Sequence, residues 1–425
     1  MKNISKVRCI IIDTGGMHVY LAKLLGTVFE KVRYYHPWES GEPLLQESKI
    51  GSGFEEFERI DNWHEHLDDT DLFIFPDLYY GPTQVWLEEQ GFLVWGSKKA
   101  EKLEIDRVWC KEKMAELKLP VWPYDVVTGH SELTSYLKAH KNVWVKFSKW
   151  RGQLETFFAE NYYLSRVKLA DMYSEVLPYA ERVQYILEKN MPKAIETALD
   201  TYNIMGKFPE NVLLGMEIKN ICYVCKFEKF SEILPSLTEF DTAMMPYLKS
   251  EGYTNCWSAE KRTGKDGISY MNDVCSRFPS PPGELYPLIY KNFPDIIWSG
   301  ANGVLLEPEG AGTDNQFGAE VMIYTENPKD WQDLEFPKEY EDNLKFRSAC
   351  RIDGKTIIVP RELPNEIIGS AVAVGRTLEQ AYERADRIAQ SVRGNGIFIN
   401  KNSFHKVEEE IEKSISYNIP ILGCS

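Results

Sequence analysis

The sequence predicts a protein of mixed α/β and α+β class with an N-terminal doubly wound sheet, and three observations support this prediction. In the first hundred residues, short apolar runs alternate with segments of helical spacing, the pattern of a doubly wound sheet. Short strands and helices then continue to alternate as far as about Thr325. The length of 425 residues, at roughly 150 residues per domain, predicts two or three domains.

The predicted N-terminal sheet contains at least three strands. The first is the run VRCIIID at residues 7–13, which is too short for a helix and is followed by two glycines and a segment with helical spacing. The runs DLFIFP at 71–76 and FLVW at 92–95 have the same buried-strand character. We therefore expect these three segments to share one sheet.

The glycines after the first strand are the first candidate binding residues. Ligands of doubly wound sheets bind beyond the carboxyl ends of the strands, so Gly15, Gly16, His18 and the loop at 76–81 are expected to face one crevice. Paired glycines let a backbone approach a ligand phosphate, but they serve a tight turn equally well. The segment lacks the later glycines of a GxGxxG dinucleotide fingerprint.

The central segments place a cation inside a strand. A charged amphipathic helix is predicted at 103–117, a strand at 143–147 (VWVKF) and another at 183–187 (VQYIL). Lys146 lies in the middle of the first of these strands, where an unpaired charge would be costly. We therefore expect Lys146 to meet an anion.

The acidic, proline-punctuated segment at 326–341 is the best candidate for a linker. Strands are predicted after it at 356–360 and 371–374, and helices at 378–392 and 406–416. The C-terminal part is therefore expected to be a small α+β unit.

Composition and charge exclude several classes of function. A content of 43% hydrophobic and 27% charged residues excludes disorder as the main state. The net charge of −15, from 49 basic and 64 acidic residues, argues against a general affinity for nucleic-acid backbones or anionic membranes. The sequence has no run near the roughly 20 apolar residues of a membrane span and no signal-peptide pattern at its start, and its eight cysteines are scattered. We expect a cytoplasmic protein with small-molecule partners.

Glu260 and Asp273 are candidate metal ligands. They lie in two strand-like runs, CWSAEKR and ISYMNDVCSRFP, joined by a turn at 264–267, so a hairpin would bring them side by side. Paired carboxylates of this kind could hold Mg²⁺ between nucleotide phosphates. On spacing alone, solvated hairpin charges beside Arg262 and Arg277 are the simpler interpretation.

Several segments together resemble the phosphoribosylamine-glycine ligases of the ATP-grasp superfamily. The resemblance is carried by PDLYYG (76–81), GFLVWGSKKAEKLEIDRVWCKEKMAELKLPVWPY (91–124), DTGGMHVYLAKLL (13–25) and GSAVAVGRTLEQAYERA (369–385). It covers the whole chain in the family's domain order. It implies an ATP-grasp fold with a pre-ATP-grasp α/β domain at 1–105, an ATP-grasp domain at 106–340 whose lid subdomain spans about 122–186, and a C-terminal α+β domain at 341–425.

The resemblance also implies which residues bind ATP and Mg²⁺ (or Mn²⁺). Arg107 and Lys146 would contact nucleotide phosphates, and the backbone near Leu187 and Glu188 would bind adenine. Glu196 falls near the family's ribose-binding acid, and Lys219 belongs to the segment GMEIKN that resembles an Asp-His-Lys step. Glu260 and Asp273 would be the metal carboxylates, and with this context the metal interpretation of that pair becomes the favoured one.

The implied substrate residues belong to three segments. Arg277 would steady an acyl phosphate, and the Gly15, Gly16, His18 turn would hold an amine substrate together with the loop that contains Asp77, Tyr80 and Gly81. The lid segment reads FSKWRGQLETF, so Arg151 and Gly152 would have to cover the γ-phosphate.

The implied activity is an ATP-dependent carboxylate-amine ligation through an acyl phosphate, with catalytic roles for Arg277, Arg151 and Lys146. Its partners would be a small-molecule carboxylate, such as an amino acid, and an amine, and a homodimer is compatible with the resemblance. Altered substrate segments favour a second interpretation, in which an amino acid is joined to another acceptor such as a nucleotide or modified base. The altered lid and Cys275, where the superfamily has Asn, motivate a third, a nucleotide-binding protein that has lost turnover.

Overall fold

The computed structural model describes residues 2–37, 49–149, 156–191, 193–219, 221–310, 316–360, 366–400, 404–419 and 421–422. Within these ranges the chain forms sheets of five, four, nine and three strands, flanked by helices. The mixed α/β and α+β class predicted from the sequence is confirmed.

The N-terminal sheet is parallel and has the strand order β3-β2-β1-β4-β5. The order reverses at β1, so the ends of β1 and β4 form the crevice expected of a doubly wound sheet. The helices that follow these two strands start beside that crevice. The elements are β1 (Arg8–Ile12), α1 (Val19–Gly26), β2 (Lys31–Tyr35), β3 (Glu58–Ile60), β4 (Leu72–Ile74), α2 (Gly81–Glu89) and β5 (Leu93–Trp95).

A separate antiparallel sheet of four strands has the order β6-β9-β7-β8. Along β7, Val145 and Phe147 pack in the apolar core of this unit with Leu133 and Leu137 of α5. Because side chains alternate along a strand, Lys146 points to the opposite face. The elements are β6 (Tyr124–Thr128), α5 (His130–Ala139), β7 (Val143–Phe147), β8 (Thr156–Ala159), α6 (Tyr162–Glu175) and β9 (Gln184–Lys189).

The central nine-stranded sheet contains the path β14-β13-β10-β11-β12-β15-β20-β17, with β21 paired to β15. Its long antiparallel strands carry the candidate metal ligands. The strands are β10 (Ile195–Ile204), β11 (Asn211–Ile218), β12 (Cys222–Lys229), β13 (Thr254–Thr263), β14 (Ser269–Cys275), β15 (Phe317–Thr325), β17 (Leu344–Phe346), β20 (Ile367–Gly375) and β21 (Ile397–Phe398). The remaining helices are α3 (Lys102–Ile105), α4 (Arg107–Glu116), α7 (Pro235–Ser250), α8 (Tyr286–Ile289), α9 (Phe293–Ala301), α10 (Leu378–Ala389) and α11 (Phe404–Ser416).

The segment at 326–341, expected to be a linker, contains regular structure instead. The short strand β16 (Gln332–Leu334) joins β18 (Ala349–Ile352) and β19 (Lys355–Ile358) in a three-stranded sheet. Strand β20 pairs with β15 across this segment, so the central sheet continues into the C-terminal part. The proposed domain boundaries stay a prediction.

Candidate functional site

Two lysines and one glutamate form a buried charge cluster on the inner face of the four-stranded sheet. The Lys146 Nζ lies 3.0 Å from the Glu188 Oε2, and the Lys111 Nζ lies 2.6 Å from the Glu188 Oε1. Only 6% of Lys146 is exposed. Burial alone would raise the pKa of Glu188, but the charges of Lys146 and Lys111 lower it to about 2. The anion expected near Lys146 is therefore Glu188, and the cluster keeps one cation in excess.

Lys111, which lies one helical turn beyond Arg107, was not among the residues predicted from the sequence. Residues four apart share a face of a helix, so this spacing was the available signal. The single helix predicted at 103–117 is wrong: the chain breaks at Asp106, whose carboxylate caps α4 by accepting a hydrogen bond from the Trp109 N–H at 3.2 Å. This break aims Arg107 and Lys111 toward β7.

Replacing Glu188 with glutamine is expected to lower the free energy of unfolding at pH 7 by about 3 kcal/mol, because the folded state depresses the carboxyl pKa from 4.5 to about 2. A depressed carboxyl pKa stabilises the fold at pH values above the unfolded-state pKa of 4.5. This stabilisation is lost as the pH falls from 4.5 to about 2. The glutamine variant should therefore lose less stability between pH 4.5 and pH 2. Urea denaturation at both pH values would measure this, with the exposed Glu175→Gln as control. Equal acid sensitivity of the glutamine variant and the parent would contradict the prediction.

The hairpin of β13 and β14 places the two candidate metal carboxylates next to each other. Its register pairs Glu260 with Asp273, followed by a bulge, so the predicted adjacency is present. The Arg107 Nη2 lies 3.5 Å from the Asp273 Oδ2. This ion pair connects the cations of α4 and β7 with the acidic hairpin.

Further carboxylates surround Glu260. Burial and the charges of Glu196 and Glu217 raise the pKa of Glu260 to about 8, while Lys219 opposes the shift. In turn, Glu217 and Glu260 raise the pKa of Lys219, although desolvation works in the other direction. The Glu196 Oε2 lies 2.9 Å from the Arg262 Nε.

Such an excess of carboxylate oxygens fits a hard divalent cation. Carboxylate oxygens are the ligands that Mg²⁺ takes in proteins, and a bound cation would remove the repulsion that raises the Glu260 pKa. Across the described ranges, however, no set of three or more His, Cys, Asp or Glu residues is close enough to hold a metal. The metal role of Glu260 and Asp273 stays a prediction.

Asn272 joins the hairpin to the charge cluster. Its backbone oxygen and its Oδ1 lie 3.3 and 3.4 Å from the Lys146 Nζ, and its Nδ2 donates to the Glu260 Oε2 at 3.4 Å. Two cavities flank this contact, each of about 20 Å³. Small-molecule sites measure roughly 300–1,000 Å³. The space between the four-stranded sheet and the hairpin, called the cleft below, is therefore nearly closed.

Two tryptophans line the cavity on the side of Leu187 and Glu188. The Trp122 Nε1 donates to the Lys189 backbone oxygen at 2.8 Å, and the Trp144 Nε1 donates to the Asn190 Oδ1 at 3.2 Å. The Leu187 side chain is buried in the core of the four-stranded sheet. The rings of Trp122 and Trp144 both line this cavity.

Arg277 connects the N-terminal crevice with the hairpin. Its Nη1 lies 2.9 Å from the Asp77 Oδ1 and its Nε lies 3.0 Å from the buried Glu104 Oε1. A Cβ at Gly15 would lie 3.0 Å from the Asp77 Oδ2, so a side chain there would displace that carboxylate. The structure thus brings Gly15 close to Asp77, as expected for one crevice, and Arg277 pairs with the same carboxylate.

His18 is buried behind the turn that contains Gly15 and Gly16. Only 1% of the residue is exposed, and the Asp13 carboxylate accepts from its backbone N–H at 2.6 Å and lies 3.3 Å from its Nδ1. Gly16 has φ 63°, and its oxygen accepts from the Ser348 N–H at 2.6 Å. A direct contact between the His18 ring and substrate stays a prediction, and its burial leaves little surface for one.

The loop that contains Tyr80 and Gly81 already binds a carboxylate. Glu101 accepts from the Tyr79 N–H at 2.8 Å and from the Gly81 N–H at 3.2 Å. These amides lie at the start of α2, where anions are favoured, so an anionic substrate would compete with Glu101. Burial is the main cause that raises the pKa of Glu101.

Two predicted residues, Arg151 and Gly152, lie outside the described residues. Among the helices of the described ranges, none combines the length and the apolar character needed to cross a bilayer.

The arrangement of the doubly wound sheet, the four-stranded sheet and the central antiparallel sheet is the ATP-grasp fold. The chain is similar to the phosphoribosylamine–glycine ligase from Thermotoga maritima, with 16% identity, a TM-score of 0.68 and coverage of 92% of this chain and 98% of that chain. It is also similar to the biotin carboxylase domain of the Hydrogenobacter thermophilus 2-oxoglutarate carboxylase, with 14% identity, a TM-score of 0.65 and coverage of 99% of both chains.

A third similar structure is the N5-carboxyaminoimidazole ribonucleotide synthetase from Thermotoga maritima, with 16% identity, a TM-score of 0.58 and coverage of 93% of this chain and 100% of that chain. At these identities the likeness establishes the fold. No protein-family model and no curated protein matches the sequence.

Proposed function

We propose that this chain is an ATP-dependent ligase that joins a carboxylate to an amine through an acyl phosphate and releases ADP and phosphate. The observation that carries the proposal is the ion pair between Arg107 and Asp273. It places the excess cations of α4 and β7 against the acidic hairpin, which is the charge pattern that a metal-bound polyphosphate needs.

The cations would hold the phosphates. Lys146, Lys111 and Arg107 are fixed on rigid elements, so they can stabilise charge on a transferring phosphoryl group without reorganising. Bound Mg²⁺ or Mn²⁺, held by Glu260 and Asp273, would neutralise the β- and γ-phosphate oxygens.

The nucleoside would lie at the other end of the cleft. The surfaces of Trp122 and Trp144 would contact the base beside the backbone of Leu187 and Glu188. Glu196 would accept hydrogen bonds from the ribose, with Lys219 adding positive charge nearby. From the segment outside the described residues, Arg151 and Gly152 would cover the γ-phosphate.

The second substrate would enter from the N-terminal crevice. Arg277 would orient the acyl phosphate, because Asp77 and Glu104 fix its guanidinium between the crevice and the hairpin. Gly15 and Gly16, with the loop of Tyr80 and Gly81, would hold the amine, and His18 would keep the turn in place. No nucleophilic side chain is needed, since the amine itself attacks the acyl phosphate.

The similar structures support this class of activity. Their names include a ligase and a synthetase, and the Hydrogenobacter thermophilus structure is a complex with MgADP, ADP and bicarbonate. Because one of these names includes glycine and another structure contains bicarbonate, we would test amino acids first as the carboxylate and bicarbonate second.

Phosphate release from Mg-ATP would test the proposal. The full chain would be incubated with pooled amino acids or bicarbonate, alone and with pooled phosphorylated amines or nucleotides, and products would be analysed by mass. A product heavier than the amine by one carboxylic acid less water, together with ADP, is expected. Release without any ligated product in all pools would contradict the proposal.

Two alternatives would give other results. A ligase for a different acceptor, such as a nucleotide or modified base, would form product only in the nucleotide pool. A nucleotide-binding protein without turnover would bind ATP and release no phosphate. Cys275 favours the latter alternative. Its half-buried thiol lies on β14, two residues from Asp273, and a thiol is a poor ligand for a hard cation.

A further inference from the structure

A second cavity lies between α1 and the C-terminal strands. It measures about 300 Å³, which reaches the range of small-molecule sites. No residue of the nucleotide cleft described above belongs to its lining. Its walls are largely apolar and include Val19, Leu24, Phe54, Leu288, Phe336 and Phe346.

Most of the charges in this cavity neutralise one another. The Lys23 Nζ lies 2.8 Å from the Glu341 Oε1 and 3.5 Å from the Asp342 Oδ1. Arg351 pairs with the same Glu341 and extends over the ring of Phe54, with 5.0 Å between the guanidinium carbon and the ring centroid. The Lys23 Nζ also lies 3.9 Å from the Glu56 Oε1, so Lys23 and Arg351 both have carboxylate partners.

Lys345 is the remaining cation. It lies on β17, is 8% exposed, and its Nζ donates to the Asp342 backbone oxygen at 2.6 Å. No carboxylate forms an ion pair with it anywhere in the part of the chain that the structure describes. Burial lowers the pKa of Lys345 to about 8, and the charges of Asp342, Glu320 and Glu284 offset only part of that shift.

The cavity therefore has apolar walls and one buried ammonium group, Lys345, whose hydrogen-bond partner among the described residues is a backbone oxygen and not a carboxylate. A ligand that matches both must carry a single negative charge on an apolar body, since a hydrogen-bonded carboxylate would remove the cost of the buried ammonium. A dianion would bury a second negative charge without a cation to pair with it, and an uncharged ligand would leave the ammonium without an ion pair.

We propose that this cavity binds a small organic monoanion, an aromatic or aliphatic carboxylate whose charged group pairs with Lys345 and whose apolar part packs against Phe54, Phe336 and Phe346. The cavity shares no lining residue with the nucleotide and amine sites of the proposed ligase, as far as the described residues go.

A matched pair of probes tests the proposal on the full chain. Binding of 2-naphthoate and of the uncharged 2-naphthalenemethanol would be measured by calorimetry at pH 7. We expect the carboxylate to bind about tenfold tighter or more, the effect of one hydrogen bond to a charged group. Equal affinities, or no binding of 2-naphthoate up to about 1 mM, would overturn the proposal.

The variant Lys345→Met should remove this preference, while the exposed control Lys6→Met should keep it. The methionine variant removes a buried charge and retains the side-chain length, so it is expected to fold. A preference retained in Lys345→Met would overturn the assignment. Addition of saturating ATP, or the variant Lys146→Met, should leave naphthoate affinity unchanged, and loss of affinity in either case would place the probe in the nucleotide cleft instead.

The pH dependence gives an independent readout. Between pH 7 and pH 9 the affinity for 2-naphthoate should fall, because Lys345 loses its proton, while the affinity for the alcohol stays constant. The same fall in Lys345→Met would overturn the assignment and point to another titrating group. The charged and titratable groups that face Lys345 are Tyr20 and Lys23 of α1, Asp342, Glu284 before α8 and Glu320 of β15.

Discussion

Replacing Lys146 with methionine is expected to reduce ATP turnover by about 100- to 1,000-fold, because it removes a preorganised charge from the transferring phosphoryl group. The fold should survive, since Glu188 keeps its ion pair with Lys111 at 2.6 Å. Phosphate release and far-ultraviolet circular dichroism would measure the two effects. This is the most direct test of the nucleotide site.

The matched control for this variant is Lys141→Met, which removes an exposed lysine from the turn before the same strand. It should retain the parent activity. Unaltered turnover in Lys146→Met would show that the nucleotide binds elsewhere. Equal losses in both variants would point to a general effect of charge on this sheet.

Replacing Glu260 with glutamine is expected to lower metal-dependent turnover by about 100-fold or more, because a neutral amide is a weaker ligand for Mg²⁺ than a carboxylate. The same change should raise the melting temperature of the metal-free protein. Glu196 and Glu217 repel the Glu260 carboxylate, and an uncharged side chain relieves that repulsion. Thermal unfolding without metal and turnover across a Mg²⁺ titration would measure both effects.

The opposite signs of these two effects make the prediction specific. A residue that only supports the fold would lose stability together with activity. The control Glu239→Gln, an exposed position on α7, should change neither quantity. Parent-like dependence on Mg²⁺ in Glu260→Gln would remove that carboxylate from the proposed metal site.

Short sequence patterns predicted the strands and the hairpin whose signals lie within a few consecutive residues. The apolar runs gave β1, β4 and β5, and the turn at 264–267 gave the pairing of Glu260 with Asp273. Strands β2 and β3 were not predicted, because charged residues interrupt their apolar pattern: β2 carries Lys31 and Arg33, and β3 carries Glu58 and Arg59. Such strands are recognised only when the neighbouring strand is known.

The site was predicted less completely than the fold. Lys146 was identified because a cation in an apolar strand needs an anion, yet the identity of that anion depended on a distant strand. The partnership of Lys111 with Glu188 and the position of Asn272 depend on how the four-stranded sheet packs against the hairpin. The burial of His18 follows from Asp13 and from the later Phe278, whose ring centroid lies 5.6 Å away.

The contact between Asn272 and Lys146 has a kinetic consequence. While Asn272 contacts Lys146, the cavities beside this contact measure only about 20 Å³ each, so under the proposed function the four-stranded sheet would have to move away from the hairpin before ATP could enter. Association would then be limited by this opening step, and its observed rate would level off as the ATP concentration rises. The variant Asn272→Ala removes the side-chain contact with Lys146. It should therefore raise the limiting association rate by increasing the fraction of molecules in the open state.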